Sequence, residues 1–257
     1  DGGEGTDRVS AATGGITSTT ASSVSGQFIT VSDSIAPSLT GVESLHLTLD
    51  GASNTTVGTQ TNLDLTSASS LTSLFMDTDD GGGNEFAKIT NFAGSAATLY
   101  GGGSAISATN EIDNLAFDGI GQAATTLNLQ AFLQPATTST LTVTGIQALT
   151  IAADSTSQLT GTADQDNQLG AVTANSVTGL TITSSGSAAA NPAALTIASV
   201  SATGVNDITL TTGNFDDVEI TADITGGTAV ETANVTVGTD SQLTLAQLDM
   251  STSALLS

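Results

Sequence analysis

Cysteine is absent from this chain, which excludes disulfides and thiolate metal sites. Tryptophan is also absent and Tyr100 is the single tyrosine, so aromatic residues amount to 3%. A core without large rings has to be filled by Leu, Ile, Val and Ala, which suit thin stacked layers better than a thick interior. Basic residues are almost missing: Arg8 and Lys88 face 25 acidic residues, giving a formal charge of −23. Such a chain cannot neutralise phosphates, so no nucleic-acid partner is expected, and an anionic lipid surface would repel it. The carboxylates cannot be paired internally either. They must spread over a solvated surface or be neutralised by an external cation. No apolar run of roughly 18 residues is available to span a membrane.

Histidine is nearly missing too. His46 is the only one, so a zinc site built on several histidines is excluded. It alternates with Leu45 and Leu47 and is expected on the solvent side of a strand. A Ser-His-Asp triad would depend on it, yet no G-x-S-x-G elbow occurs. Polysaccharide lyases on β-helices use Arg or Lys to stabilise developing charge, and two cations leave little for that. Hydrolysis by two carboxylates stays chemically open, without the Trp and Tyr platforms that hold sugars. The chain is therefore expected not to be an enzyme, with a polysaccharide-active β-helix enzyme as a minor alternative.

What the sequence does have is alternation. Gly41-Val42-Glu43-Ser44-Leu45-His46-Leu47-Thr48-Leu49 is the sharpest run. Others are Thr61–Leu65, Thr126–Leu129, Leu141–Val143, Gly145–Ile151, Gly179–Ile182, Ala194–Ile197, Gly204–Leu210, Phe215–Ile220, Asn234–Val237 and Gln242–Leu245. Period-two alternation puts the apolar set on one face of a half-buried strand. Short strands separated by Ser, Thr, Asn, Asp and Gly make an all-β chain, read as a parallel β-solenoid or β-helix-like stack, with β-sandwich domains as the alternative. Only 127–133 and 245–256 suggest short helices, neither with a convincing cap. A change in texture after Pro135 suggests a division into 1–137, an N-terminal β region, and 138–257, a Thr-rich β region. Triplets such as Thr142–Thr144 and Thr181–Thr183 also admit a Thr ladder that organises surface water, as in ice-binding proteins, although their spacing in sequence is irregular.

The chemistry-bearing motif opens the chain. Gly2 to Ser10 match every specified position of G-G-x-G-x-D-x-U-x, the nonapeptide of calcium-filled β-rolls. Gly3 and Gly5 allow backbone carbonyls to turn inward, Asp7 supplies a carboxylate and Val9 fills the roll. Calcium (Ca2+) takes six to eight oxygens, so one copy provides half a site. Asp1 reads as the edge of a preceding copy, so the chain is expected to be a fragment or a processed product. A second acidic loop, Asp77-Thr78-Asp79-Asp80-Gly81-Gly82-Gly83-Asn84-Glu85, places Asp77, Asp79, Asp80 and Glu85 where they could converge on one cation. It is not an EF-hand, because Gly81 and Lys88 stand where ligands would be needed. Asn110–Asn114 with Asp118, Asp164–Asn167 and Asp216–Glu219 are weaker candidates, read as solvated loops.

GGEGTDRV followed by GVESLHLTL resembles the RTX-type calcium-binding surface proteins of Gram-negative bacteria, in particular their surface-layer (S-layer) proteins. These motifs cover about residues 1–49, whereas the Thr-, Ser-, Ala- and Gly-rich composition extends over the whole chain. The resemblance implies type I secretion, folding on external calcium, and self-assembly into a cell-surface lattice or filament of like subunits, with cell-surface polysaccharide as a further partner. The expected function is thus that of an extracellular structural protein. A monomeric secreted adhesin segment that binds a glycan or host surface is the alternative.

Overall fold

The computed structural model describes residues 16–17, 28–31, 36–39, 41–49, 52–53, 61–77, 85–100, 114–130, 139–154, 167–185, 194–214, 216–226, 230 and 232–249. Every element among them is a strand. In chain order they are β1 (Ile16–Thr17), β2 (Phe28–Val31), β3 (Ser44–Leu49), β4 (Ala52–Ser53), β5 (Thr61–Asp64), β6 (Ser73–Asp77) and β7 (Glu85–Phe92). Then come β8 (Ala96–Tyr100), β9 (Asn114–Gln130), β10 (Thr140–Asp154), β11 (Asn167–Thr173), β12 (Gly179–Ser185) and β13 (Leu195–Ala202). The last are β14 (Asp207–Thr212), β15 (Asp217–Ile220), β16 (Ile224–Gly226), β17 (Thr232–Thr236), β18 (Gln242–Leu245) and β19 (Leu248–Asp249).

Pairing is parallel everywhere except between β1 and β2 and between β4 and β7. This makes a β-solenoid, as expected, and sets aside the sandwich with hairpin turns. One face stacks β2, β3, β6, β8, the second half of β9, the second half of β10, β12, β14 and β17. A second stacks β5, β7, the first halves of β9 and β10, the ends of β11 and β13, then β16 and β19. A third is formed by the beginnings of β11 and β13 with β15 and β18. Two expectations need correction. Leu127–Gln130 continues β9, and Leu245 and Leu248 lie in β18 and β19, so no helix is seen at either place among the described residues.

Alternation explains the core. Leu45, Leu74, Ala97, Leu127, Ile151, Ile182 and Leu210 share one register column, and all are buried. Ala87, Leu115, Leu141, Val172, Val200 and Ile224 form a second buried column. Each inward residue packs on the one above and below, so branched aliphatics of similar size fill the interior in layers. Two of the scarce aromatics meet in the core, where the Phe92 and Phe117 rings pack edge to face at 5.3 Å. Gly94 makes room for Phe92, since a Cβ there would lie 2.2 Å from its ring.

β9 and β10 pass from the second face to the first without a break, and their register shifts between Thr144 and Ile146. Gly145, at φ 70°, makes this bend; a Cβ would stand 1.9 Å from the Gly119 carbonyl oxygen. The suggested boundary at residue 137 falls in 131–138, outside the described residues. The strands on either side pair from Thr140↔Asn114 to Ala153↔Leu129.

Candidate functional site

The solenoid's polar chemistry gathers at its corners, where the strands leave one face for the next. There a side chain from one rung binds the backbone or side chain of its neighbour. Asn175 Oδ1 accepts from the Thr203 amide at 3.0 Å and from Ser201 Oγ at 2.9 Å. Asn214 Oδ1 accepts from the Thr239 amide, and Ser241 Oγ donates to the Gly213 carbonyl at 2.6 Å. These bonds satisfy turn groups that strand pairing leaves over.

Asp64 forms an acidic corner of this kind. Its Oδ1 accepts from Thr66 Oγ1 at 2.6 Å, from Asn91 Nδ2 at 2.8 Å and from the Thr66 amide at 3.0 Å. The Thr66 hydroxyl first, then the Asn91 amide, and then the Thr66 backbone hold its carboxyl below the usual carboxylate range. Asn91 adopts φ 61°, a left-handed conformation that Asn tolerates better than most residues. Sequence reading missed this cluster because Asp64 sits inside an alternating run and looked like one of its polar members. An Asn near the end of an alternating run, as Asn91 is in β7 and Asn214 is just beyond β14, is the signal that could have found such corners.

Of the expected metal ligands, Gly3, Gly5, Asp7, Asp79 and Asp80 lie outside the described residues. Asp77 closes β6, in register with Thr48 and Tyr100 on the first face. Glu85 opens β7 opposite Ser53. The backbone thus places the ends of the acidic loop at the end of one strand and the start of the next, on different faces. His46 lies in β3, in register with Phe28 and Phe75.

The weaker candidates divide. Asp217 and Glu219 are exposed as expected, but Asp216 has no exposed surface and Asn167 is buried. The solvated-loop reading is therefore corrected at these two positions. Asp216 is drawn inward because its amide donates to Ser241 Oγ and because Gly213 leaves room for its carboxylate. A Cβ on Gly213 would stand 2.7 Å from Asp216 Oδ2. Asn114 and Asp118 accept from Thr140 and Thr144 of the next rung, at 2.9 and 2.8 Å.

The fit to calcium follows from these partners. Among the described residues no three His, Asp or Glu side chains converge on a point. Asp64, Asp118 and Asp217 already accept hydrogen bonds from Thr, Asn or backbone donors. A six-to-eight-oxygen shell is not assembled from them.

The register also keeps like charges apart. Glu219 is flanked by Thr196 and Thr244, Asp207 by Gly179 and Thr232, and Asp64 faces Thr90. In every described pair the neighbour of a carboxylate is uncharged, which avoids direct cross-strand repulsion. Among the described residues no helix is long and apolar enough to cross a membrane. Comparison with models of protein families, with curated proteins and with solved structures gives no match to this chain.

Proposed function

We propose that this chain is a non-catalytic structural subunit of a bacterial extracellular surface layer or filament, folded and assembled with calcium. The observation that carries the reading is one-sided charge on a stacked parallel scaffold. Glu43, Asp207, Asp217, Glu219, Asp223 and Asp240 are all exposed, and the whole chain has two basic residues. Two such surfaces repel unless a multivalent cation lies between them. Because carboxylates are spaced apart within the solenoid, calcium has its work elsewhere: in the turns around Gly3–Asp7 and Asp77–Glu85, and between copies. The resemblance of the opening residues to RTX-type surface proteins supports the same assignment, with type I secretion as the route to the cell surface.

Chelation tests the reading. Calcium addition should raise the melting temperature and light scattering together, EDTA should reverse both, and electron microscopy should show sheets or filaments. Dispersed rods at all calcium concentrations would favour a monomeric adhesin instead, and indifference to EDTA would remove the calcium assignment.

One observation favours a second reading, the ordering of surface water. Thr142–Thr144 lies on the second face, but Thr181–Thr183 and Thr209–Thr211 come into line on the first. Thr126, Thr150, Thr181 and Thr209 share one outward column, and Thr183, Thr211 and Thr236 share the next. Neighbouring hydroxyls then repeat at about 4.8 Å across strands. Thermal hysteresis of ice growth that disappears in Thr181→Lys and Thr209→Lys would support it; none in the parent chain would dismiss it.

A further inference from the structure

We infer that the N-terminal half of the first face, from β2 to β9, is a platform that holds a neutral, extended polysaccharide. The inference rests on the surface reading for where such a chain is met, and it names the part of the protein that meets it.

The chain has seven Phe and one Tyr. Phe92 and Phe117 are spent in the core. Three others fall together on successive rungs of one face. Phe28, His46, Phe75, Thr98 and Asn128 share a register column. Thr48, Asp77, Tyr100 and Gln130 form the next column of the same parity. Between the two, Met76, Leu99 and Leu129 are buried, and on the other side of the first column so are Leu74, Ala97 and Leu127. Alternation therefore assigns both columns to the outer side of the sheet. Phe75, Thr98 and Asn128 are partly exposed there. Further along the solenoid the first column continues through Ala152, Thr183 and Thr211, which are small. The rings are confined to one half of the face.

Three properties select a neutral glycan. Phe and Tyr positions are interleaved with His, Thr, Asn, Gln and Asp positions, so no continuous apolar area is offered to the core of a protein interface. Sugars match that mixture, because their C–H faces lie on aromatic rings while their hydroxyls both donate to and accept from polar side chains. Charge is the second property. Lys88 belongs to β7, on the second face, and the chain of −23 has only one other basic residue, so an anionic glycan meets repulsion. Geometry is the third. The columns run in register along the solenoid axis with rungs about 4.8 Å apart. That repeat is close to the length of one pyranose in an extended β-linked chain, so a glycan lying along the axis meets each rung with an equivalent sugar.

Titration of the full chain with cellohexaose and with mannohexaose in calcium-containing buffer tests this. At least one should bind with a Kd of about 1 mM or tighter. Amide shifts on binding should gather at Phe75, Thr98 and Asn128 and leave Thr181 and Thr209 unmoved. Trigalacturonate, which is anionic, should not bind. Phe75→Ala should weaken binding roughly ten-fold with circular dichroism unchanged, and Phe75→Tyr should retain it. Should Phe75→Ala lose its fold, the shift map and Asn128→Ala decide instead. No saturation with either neutral sugar at about 10 mM would overturn the inference. So would shifts centred elsewhere, equal binding of trigalacturonate, or affinity indifferent to both Phe75→Ala and Asn128→Ala. Calcium-driven sheets without sugar binding would strike the platform and leave the assembly reading standing. Sugar binding by a chain that never assembles would keep the platform and favour the monomeric adhesin.

Discussion

Asp64 shows how a single carboxylate can be structural in a protein with few cations. Three donors from Thr66 and Asn91 stabilise its ionised form and lower its pKa. A group whose folded pKa lies below its unfolded value adds stability above the unfolded value, near 3.9. That contribution is lost as pH falls through the lower, folded value. Asp64→Asn keeps an acceptor but loses the charge, and should lower the melting temperature slightly at neutral pH. The gap between parent and variant should close as pH drops below about 4. A gap that stays constant to the lowest pH at which both fold would mean that shape, not ionisation, matters at this corner.

At the level of the strand, the two sides of one element should respond very differently to substitution. In β12, Ile182 is fully buried between Ile151 and Leu210, whereas Thr181 and Thr183 point outward and are half-exposed. Ile182→Ala should cost about 2–5 kcal/mol, because neighbouring rungs cannot collapse into the gap without breaking register. Thr181→Ala should change stability by no more than about 0.5 kcal/mol. Equal effects in urea unfolding would contradict the assigned inward face.

The same alternation made this element legible before any coordinates. The runs at Ser44–Leu49, Leu141–Ile151, Gly179–Ile182, Asp207–Leu210 and Gln242–Leu245 are all strands, with Leu45, Leu141, Val143, Ile146, Leu149, Ile151, Leu180, Ile182, Ile208 and Leu210 buried and Leu243 and Leu245 packed against the core. The repeat length was not legible. Runs close in sequence, such as those at Asp217–Ile220 and Asn234–Val237, lie on different faces, whereas stacked partners are as far apart as Gln147 and Thr178, 31 positions. Unequal loops hide the period, and so they also hid the Thr columns. Asp216 was misjudged for a related reason: its burial depends on Gly213 and Ser241, contacts that local sequence does not specify.

For the whole molecule, the question is how a chain of −23 keeps its rungs about 4.8 Å apart. The register answers it by setting every carboxylate in the described strand pairs against an uncharged neighbour, as with Glu219 between Thr196 and Thr244. If that spacing is what holds repulsion down, placing a second acid in the column should expose it. Thr196→Glu sets two carboxylates directly opposite each other, one at a partly buried and one at an exposed strand position. It should destabilise the protein by roughly 0.2–1 kcal/mol at low salt. Sodium chloride should recover the loss by screening, since the Debye length shortens to about 3 Å at 1 M. Calcium should recover it at far lower concentration if the paired carboxylates share an ion, whereas Thr196→Gln should behave like the parent throughout. A loss that neither ion relieves would mean that the Thr hydroxyl itself is needed there. The columns would then be arranged for packing, and acidity on this surface would be set by what lies outside the molecule.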